Sequence, residues 1–214
     1  MIIISHRGYW KESSEKNQLR AFIRSFNLGF GTETDIRDYN GDVVISHDIP
    51  DENAISFEGF LDLYIKEKKS GILPLALNVK SDGLQEKVKI ILESKKINDY
   101  FFFDMSIPDT LGYRDGKLKY FVRYSEYEKI NELYKDAHGI WLDGFKSDLA
   151  DEDLIRGFIK DDKFVCIVSS ELHKRPNEDL WSSLKRYDKV LLDSKKLILC
   201  TDLPEDAVEF FYGK

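Results

Sequence analysis

The stretch MIIISHRGYWKESSEKNQLRAFIRSFNLGFGTETDI, residues 1–36, contains two short apolar runs separated by an amphipathic stretch. Short apolar runs indicate buried strands, and apolar residues three and four positions apart indicate a helix. The pattern therefore predicts two parallel strands joined by a helical connection.

The same alternation continues along the chain and gives eight apolar runs: MIIIS, FGTETDI, ILPLALNV, DYFFFDM, KYFVRY, GIWLDG, KFVCIV and KLILCT. Eight strand–helix units predict an α/β fold, a compact version of the TIM (β/α)8 barrel with short loops, as a single domain over residues 1–214. An open doubly wound sheet is the alternative, but the SHRGYW segment after the first run lacks the Gly-rich turn typical of that fold.

The stretches between the runs predict seven helices: NQLRAFIRSFNLG, ISFEGFLDLYIKEKK, LQEKVKIILESKK, EYEKINELYKD, DEDLIRGFIKD, NEDLWSSLKRY and PEDAVEFFYGK. Between the fourth and fifth runs there is space only for a short helix or a 3₁₀ turn. The VLL run at residues 190–192 has no clear assignment beside LILC, which we take as the eighth strand.

The composition restricts the classes of function. A net charge of −7 with scattered basic residues argues against binding to duplex nucleic acid, but it leaves room for a small phosphorylated substrate in a locally positive pocket. No run approaches the about 20 apolar residues of a membrane span, and the start lacks a signal-peptide pattern. Cys166 and Cys200 lie inside apolar runs, which predicts buried thiols and not disulfides. We therefore expect a cytoplasmic protein; the sequence carries no signal for the oligomeric state.

In a barrel of this kind the active site lies at the carboxyl ends of the strands. Glu33 and Asp35 are two positions apart in the second run, so both side chains face the same side, here the barrel interior. Two carboxylates this close repel each other unless a cation lies between them, and magnesium or calcium prefers oxygen ligands. The alternative is a pair of solvated acids matched to Arg7 or Arg37.

His6 and His47 each end a strand-like run near this acid pair. Phosphodiester cleavage needs one group to accept a proton from the attacking oxygen and another to give a proton to the leaving alkoxide, and imidazole titrates in the right range for both. We interpret the two histidines as this acid–base pair, although a lone strand-end histidine is more often structural. His138 precedes its strand and is interpreted as structural, and His173 lies in a loop after the seventh run.

Other strand ends supply further polar and aromatic side chains. Arg7 and Lys80 offer fixed positive charge for the oxygens of a phosphate, or alternatively partners for the nearby acids. Arg123, Trp141 and Asp104 are further candidates for contact with the substrate. The other members of this ring of strand-end residues are Asp48, Asn78, Asp143 and Glu171.

These residues together resemble a known family, the glycerophosphodiester phosphodiesterases. The motifs that carry the resemblance are HRG at residues 6–8, EKNQLRAFIRSFNLGFGTETDIRDYNGDVVISHD at residues 15–48, LALNVK at residues 75–80 and LILCTDLPEDAVEFF at residues 197–211. The family pattern reads E-N-T, then A-F, then E-x-D-V, D-G and V-V-x-H-D, followed by an E-x-K strand and a T-D-x-P ending. The strongest part of the likeness covers residues 6–48.

The resemblance implies a TIM barrel related to phosphatidylinositol-specific phospholipase C. It also implies a divalent cation, Mg²⁺ or Ca²⁺, and hydrolysis of a glycerophosphodiester to glycerol 3-phosphate and an alcohol. Carried over by position, His6 and His47 are the acid–base pair, Arg7 contacts the phosphate and Lys80 matches the family's lysine. Glu33 and Asp35 are metal ligands, with Asn78 at the position of the third.

The sequence departs from the family pattern at two places. Asn78 stands where the family has a glutamate, so it brings an oxygen ligand without charge and metal affinity should fall. The segment after His47-Asp48 also leaves no space for the family's usual insertion. Two other functions therefore stay open: a catalytically weak or inactive barrel that binds a phosphorylated ligand, and a lyase of the phospholipase-D-toxin type that forms a cyclic phosphate.

Overall fold

The computed structural model describes residues 1–69 and 71–213. Within them the strands are β1 Ile2–His6, β2 Gly31–Tyr39, β3 Asp42–Ile45, β4 Ile55–Ser56, β5 Leu75–Val79, β6 Tyr100–Phe103, β7 Phe121–Ser125, β8 Gly139–Asp143, β9 Phe164–Val168 and β10 Leu197–Thr201. The helices are α1 Leu19–Asn27, α2 Phe57–Glu67, α3 Gln85–Ser94, α4 Ile107–Asp115, α5 Glu152–Lys160, α6 Glu178–Lys185, α7 Lys189–Leu192 and α8 Pro204–Tyr212. Short 3₁₀ helices lie at Ser13–Glu15, Glu132–Tyr134 and Ser170–His173.

The eight apolar runs predicted as strands all form strands, namely β1, β2 and β5 to β10. β5 pairs in parallel with β2 and β6, and the neighbouring strands from β7 to β10 are also parallel. Every residue of β5, β8 and β10 is buried. Continuous burial is typical of parallel strands covered on both faces, and it explains why these runs lack an alternating pattern.

The two remaining strands form an antiparallel extension of β2. β3 pairs with β2, and β4 pairs with β3, so that Ile36 lies opposite Ile45 and Ile45 lies opposite Ile55. The turn between β2 and β3 contains Asn40 and Gly41, both with positive φ. Asn-Gly is the pair that favours a tight hairpin turn, because both residues adopt left-handed backbone at little cost. This hairpin carries the segment that contains His47.

The chain divides into two compact units. The first comprises Ser5–Tyr120 and has the strand order β4-β3-β2-β5-β6 beside the end of β1. Its core includes an aromatic cluster between α1 and α2, with Phe22 against Phe60 at a centroid distance of 4.7 Å and Phe26 against Tyr64 at 5.2 Å. Edge-to-face pairs of this kind add about 1 kcal/mol each beyond the burial of their area.

The second unit comprises Met1–Ile4 and Phe121–Lys214, with the strand order β1-β10-β9-β8-β7. Cys166 and Cys200 are buried free thiols, as predicted. Glu171, predicted among the strand-end charges, accepts hydrogen bonds from the hydroxyls of Ser169 and Thr201 and thereby ties the ends of β9 and β10 together. Trp181 donates to the Ser169 hydroxyl at 2.8 Å. Glu171 is thus held by structural bonds.

The helix prediction was wrong at EYEKINELYKD, residues 126–136, where only Glu132–Tyr134 is helical. The Ser125 hydroxyl accepts from the backbone N–H groups of Tyr127 and Glu128, and the Asn131 side chain accepts from the N–H of Leu133. Side chains that bond to nearby backbone groups in this way compete with helix formation. The amphipathic spacing was present, but backbone N–H groups that a helix would use are bonded to side chains in local turns.

Two further segments differ from expectation. α4 has nine residues, as many as α1, so the connection after the fourth predicted strand is not shortened. Ser106 begins it by accepting from the backbone N–H of Asp109. The VLL run belongs to α7, and LILC forms the eighth parallel strand, as expected.

No helix among residues 1–69 and 71–213 has the combination of length and apolar character that a membrane crossing requires. The single domain over residues 1–214 stays a prediction.

Candidate active site

The turn after β1 is built from a positively charged residue and a glycine in left-handed backbone. Arg7 has φ 57° and Gly8 has φ 79°. The Gly8 N–H donates to the Thr32 hydroxyl at 2.9 Å, and a Cβ at Gly8 would lie 2.8 Å from the Cβ of Ala21. Only glycine fits such an approach, because that contact is shorter than side-chain carbons tolerate. The turn therefore fixes Arg7 beside β2.

Glu33 and Asp35 lie side by side on β2 and are 2% and 0% exposed. Their two-residue spacing puts both carboxylates on one face of the strand, as predicted. Arg7 joins the pair, because its backbone N–H donates to Glu33 Oε2 at 3.1 Å and its Nε lies 3.0 Å from Asp35 Oδ2. The alternative of a solvated acid pair does not hold, because both carboxylates are buried. Arg7 is nevertheless a partner of the pair, as that alternative expected.

Asp35 has three side-chain partners. Besides Arg7, Lys80 Nζ lies 3.4 Å from Oδ1 and Asn17 Nδ2 donates to Oδ2 at 2.8 Å. Two permanent cations therefore face two carboxylates, so the cluster is formally neutral before His6 is counted. Burial of charge is costly unless it is paired in this way.

Glu33 lies in a less favourable environment. Its Oε2 is 3.8 Å from His6 Nε2, on a side chain that is 17% exposed. Burial, followed by the neighbouring Asp35 carboxylate, raises the pKa of Glu33 to about 7, against the opposing effects of His6, Arg7 and Lys80. A carboxyl group that holds its proton near neutral pH beside an imidazole is typical of functional sites.

Asn78 lies next to Asp35 on the neighbouring strand, since the two are Cα partners in the β2–β5 ladder. It is 8% exposed, and its side-chain oxygen has no hydrogen-bond partner within the described residues. A buried carbonyl oxygen without a donor is rare and calls for an unseen partner. Glu33, Asp35 and Asn78 thus carry oxygen atoms of the kind that a hard cation prefers, on the neighbouring strands β2 and β5. Groups of three or more His, Cys, Asp and Glu side chains able to hold a metal are absent from the described residues.

His47 lies outside this buried cluster. Its side chain is 43% exposed, and its Nδ1 is 2.9 Å from Asp48 Oδ1. The preceding residue, Ser46, donates its backbone N–H to the carbonyl oxygen of Asp35 at 3.0 Å. The residue before His47 is therefore bonded to the backbone of Asp35. Among the described residues, the His47 imidazole forms no direct bond to Glu33 or Asp35.

The other predicted substrate-binding residues have separate surroundings. Asp104 follows β6 in left-handed backbone with φ 68°. In the second unit, Arg123 and Trp141 are Cα partners on β7 and β8, and Arg123 Nη1 lies 3.6 Å from Asp143 Oδ2. Trp141 is 5% exposed. Arg123 and Trp141 thus lie together, beside the end of β8.

Sequence reasoning missed one participant, Asn17. Asn17 accepts a hydrogen bond from the Thr34 hydroxyl at 2.9 Å while it donates to Asp35, and so bridges two consecutive residues of β2. The family pattern E-N-T, set against EKNQ in this chain, was the signal that could have identified it. Within the second unit, His173 Nε2 lies 2.6 Å from Asp143 Oδ1, and sequence spacing did not indicate this pair of residues 30 positions apart.

Solved structures of several proteins resemble this chain over nearly its whole length. A glycerophosphodiester phosphodiesterase from Parabacteroides distasonis is 17% identical, with a TM-score of 0.72 over 99% of this chain and 96% of that protein. A phosphodiesterase from Oleispira antarctica, solved in complex with the product sn-glycerol-3-phosphate, is 12% identical, with a TM-score of 0.68 over 98% and 96%.

A third structure is the Ca²⁺-dependent phosphatidylinositol-specific phospholipase C from Streptomyces antibioticus. It is 10% identical, with a TM-score of 0.56 over 96% of this chain and 95% of that one. No model of a protein family matches the sequence, and no curated protein sequence matches it. These likenesses confirm the predicted fold class, a compact (β/α)8 barrel. The chain has the fold of the glycerophosphodiester phosphodiesterases.

Proposed function

We propose that the protein is a metal-dependent phosphodiesterase that hydrolyses a glycerophosphodiester, or a similar small phosphodiester, to a phosphomonoester and an alcohol. The observation that carries the proposal is the buried Glu33–Asp35 pair, held between Arg7, Lys80 and His6 within one unit. If the two acids had only a structural role, one cation for each would be enough, and the imidazole of His6 would not be needed beside them. The mixture of acids, cations and histidine is what phosphoryl chemistry requires.

The cation would be held by Glu33, Asp35 and Asn78. The unpartnered oxygen of Asn78, beside Asp35, supports this assignment. Once bound, Mg²⁺ or Ca²⁺ supplies positive charge that stabilises the phosphoryl oxygens and lowers the pKa of a bound hydroxyl. The phosphatidylinositol-specific phospholipase C from Streptomyces antibioticus, which resembles this chain in fold, is Ca²⁺ dependent, and this supports a cation in the proposed site.

Two imidazoles would move the protons. As the new P–O bond forms, one histidine takes the proton of the attacking water, and as the bond to the leaving alkoxide breaks, the other gives that oxygen a proton. His6, beside Glu33, and His47, beside Asp48, are the two groups. Each imidazole has a carboxyl group close to one ring nitrogen, at 3.8 Å for His6 and 2.9 Å for His47, which can orient the ring.

Arg7 and Lys80 would bind the phosphate. Both lie at Asp35, within reach of any oxygen bound near that carboxylate. Fixed cations stabilise the charge that develops on phosphoryl oxygens in the transition state. Arg123, Trp141 and Asp104 remain proposed contacts of the substrate, and the cytoplasm is the proposed compartment.

The test uses purified protein with Mg²⁺, Ca²⁺ or EDTA on a panel of glycerophosphodiesters and one chromogenic phosphodiester. We expect turnover only with a metal, and loss of at least about a hundredfold in kcat for His47→Ala, since general acid–base groups contribute that much. His138→Ala is the matched control, because His138 is also an exposed histidine. Absence of turnover with every metal, or a fully active His47→Ala variant, contradicts the proposal. A linear phosphomonoester product supports hydrolysis, whereas a cyclic phosphate identifies the lyase.

A second candidate function is binding of a phosphorylated ligand without cleavage. The observation that favours it is that Asp35 already has Arg7, Lys80 and Asn17 as partners, while Asn78 adds no negative charge. Under this hypothesis Asn78→Glu raises the affinity for Ca²⁺ at least about tenfold, because an added carboxylate strengthens a hard-cation site. Calorimetric titration with metal measures it, with Asn78→Gln as the control. Tight metal binding and turnover by the wild type would exclude this candidate.

A further inference from the structure

Arg37 lies at the rim of the acid-bearing face of β2. It follows Asp35 by two positions, so its side chain leaves the strand on the same face as Glu33 and Asp35. Its Nη1 donates to the carbonyl oxygen of His47 at 3.1 Å. Within residues 1–69 and 71–213, Arg37 forms no ion pair with an acidic side chain. Within the same residues, the hydrogen-bond partner of its guanidinium is the backbone of a proposed catalytic residue.

Three further bonds hold the same short turn. Ser46 donates its backbone N–H to the Asp35 carbonyl oxygen at 3.0 Å, and its hydroxyl donates to the carbonyl oxygen of Asp48 at 2.9 Å. The Asp48 carboxylate contacts His47 Nδ1 at 2.9 Å. The backbone on both sides of His47 and one ring nitrogen are thus engaged, which leaves Nε2 for chemistry.

Such restraints are needed because His47 lies beyond the end of β3. The strand pairing ends at Ile45, and the residue after the pair His47-Asp48, Ile49, is 89% exposed. Holding the backbone of a residue in place costs conformational entropy, which a bond to that backbone must offset. A hydrogen bond from a charged donor contributes more than a bond between neutral groups, and the Arg37 guanidinium is such a donor to the carbonyl of His47.

We infer that Arg37 is a positioning residue that holds the His47 turn against the acid-bearing strand and so fixes where the imidazole meets the substrate. The inference rests on the proposed function of His47. Arg37 acts through the backbone of His47, and the competing interpretation is that its remaining N–H groups bind an anionic group of the substrate directly. The two interpretations separate in steady-state kinetics, because lost positioning lowers kcat whereas lost binding raises KM.

The experiment compares wild type with Arg37→Gln and Arg37→Lys. Arg114→Gln, which removes a partly exposed arginine that pairs with Asp115, is the control for lost charge. We expect Arg37→Gln to lower kcat about ten- to a hundredfold with KM changed less than about twofold, since misplacement of a reacting group by about 1 Å has effects of this size. Arg37→Lys should recover most of the loss, because an ammonium group also donates to a carbonyl.

Amide hydrogen exchange of Ser46 gives a second readout that needs no turnover. Its N–H bonds to Asp35, and we expect exchange about tenfold faster in Arg37→Gln and unchanged in Arg114→Gln, because the turn opens more often. The inference is overturned if Arg37→Gln changes only KM, or if it leaves the exchange rate of the Ser46 N–H unchanged. If the wild type has no phosphodiesterase activity the proposed function fails, and the exchange rate alone then decides whether Arg37 holds the turn.

Discussion

Replacement of Asn17 tests how the acid pair is held. Asn17 is 8% exposed, has φ 57°, donates to Asp35 at 2.8 Å and accepts from Thr34 at 2.9 Å. Asn17→Ala removes both bonds and puts a residue with a Cβ but no polar group in left-handed backbone. We expect the free energy of unfolding to fall, because two buried polar groups lose their partner.

The size of the loss follows from three contributions. The bond to the charged Asp35 contributes about 1.5–3 kcal/mol, and the Thr34 hydroxyl left without its acceptor adds about 1 kcal/mol. Left-handed backbone at alanine costs about 1 kcal/mol relative to residues that adopt it readily. Asn17→Ala should therefore cost about 3.5–5 kcal/mol and Asn17→Gly about 1 kcal/mol less, since glycine carries no backbone penalty.

Equilibrium unfolding in urea measures these differences, with m-values compared to confirm that the transitions are alike. Asn17→Asp adds a discriminating variant, because it keeps an acceptor for Thr34 but faces Asp35 with a second carboxylate. It should be less stable than Asn17→Gly at pH 7. The reasoning would be refuted if Asn17→Ala and Asn17→Gly both lowered the free energy of unfolding by less than about 1 kcal/mol. Changes of that size are typical of surface substitutions.

Three other outcomes are expected. Gly8→Ala should destabilise the protein more than Gly41→Ala in thermal unfolding, because both glycines have positive φ but only at Gly8 would a Cβ meet another atom, Ala21 Cβ at 2.8 Å; equal losses would contradict this. In EDTA, stability should fall as pH rises from 4.5 to about 7, because the folded state keeps a proton on Glu33 that the unfolded state releases, and Glu33→Gln should abolish that slope. Arg24 and the Lys11 backbone lower the pKa of Glu15 to about 2, so its contribution to stability should be lost as pH falls from 4.5 toward 2, and acid unfolding of Glu15→Gln should show a weaker pH dependence in that range.

Most of the strand pattern could be predicted from the sequence, because a parallel strand buried on both faces is a dense apolar run. β5 and β8 are read directly from LALNV and GIWLD. Helix prediction failed at residues 126–136, where apolar spacing was right but the side chains of Ser125 and Asn131 captured backbone N–H groups. Periodicity reports which face is apolar and carries no information about such competing bonds.

The candidate site was predictable where it depended on spacing within one strand. The two-residue interval between Glu33 and Asp35 was enough to put both on one face. Asn17 was missed because its bonds join a loop to a strand 18 residues away, and sequence spacing does not report contacts of that range. His47 was expected in the wall of the site, and its exposure follows from its place beyond the end of a short hairpin strand.

The hairpin that carries His47 has a further consequence for the size of the molecule. The chain leaves β3 at Ile45 and returns at Ile55 directly opposite, so both ends of the loop at residues 46–54 are clamped by one ladder. Each doubling of the length of such a loop costs only about 0.6 kcal/mol of closure entropy. Extra sequence inserted after Ile49 would therefore have both of its ends fixed by the ladder, at little cost in closure entropy. The chain can gain or lose a segment at this position, beside the turn that contains His47, without a change to the pairing of β2, β3 and β4.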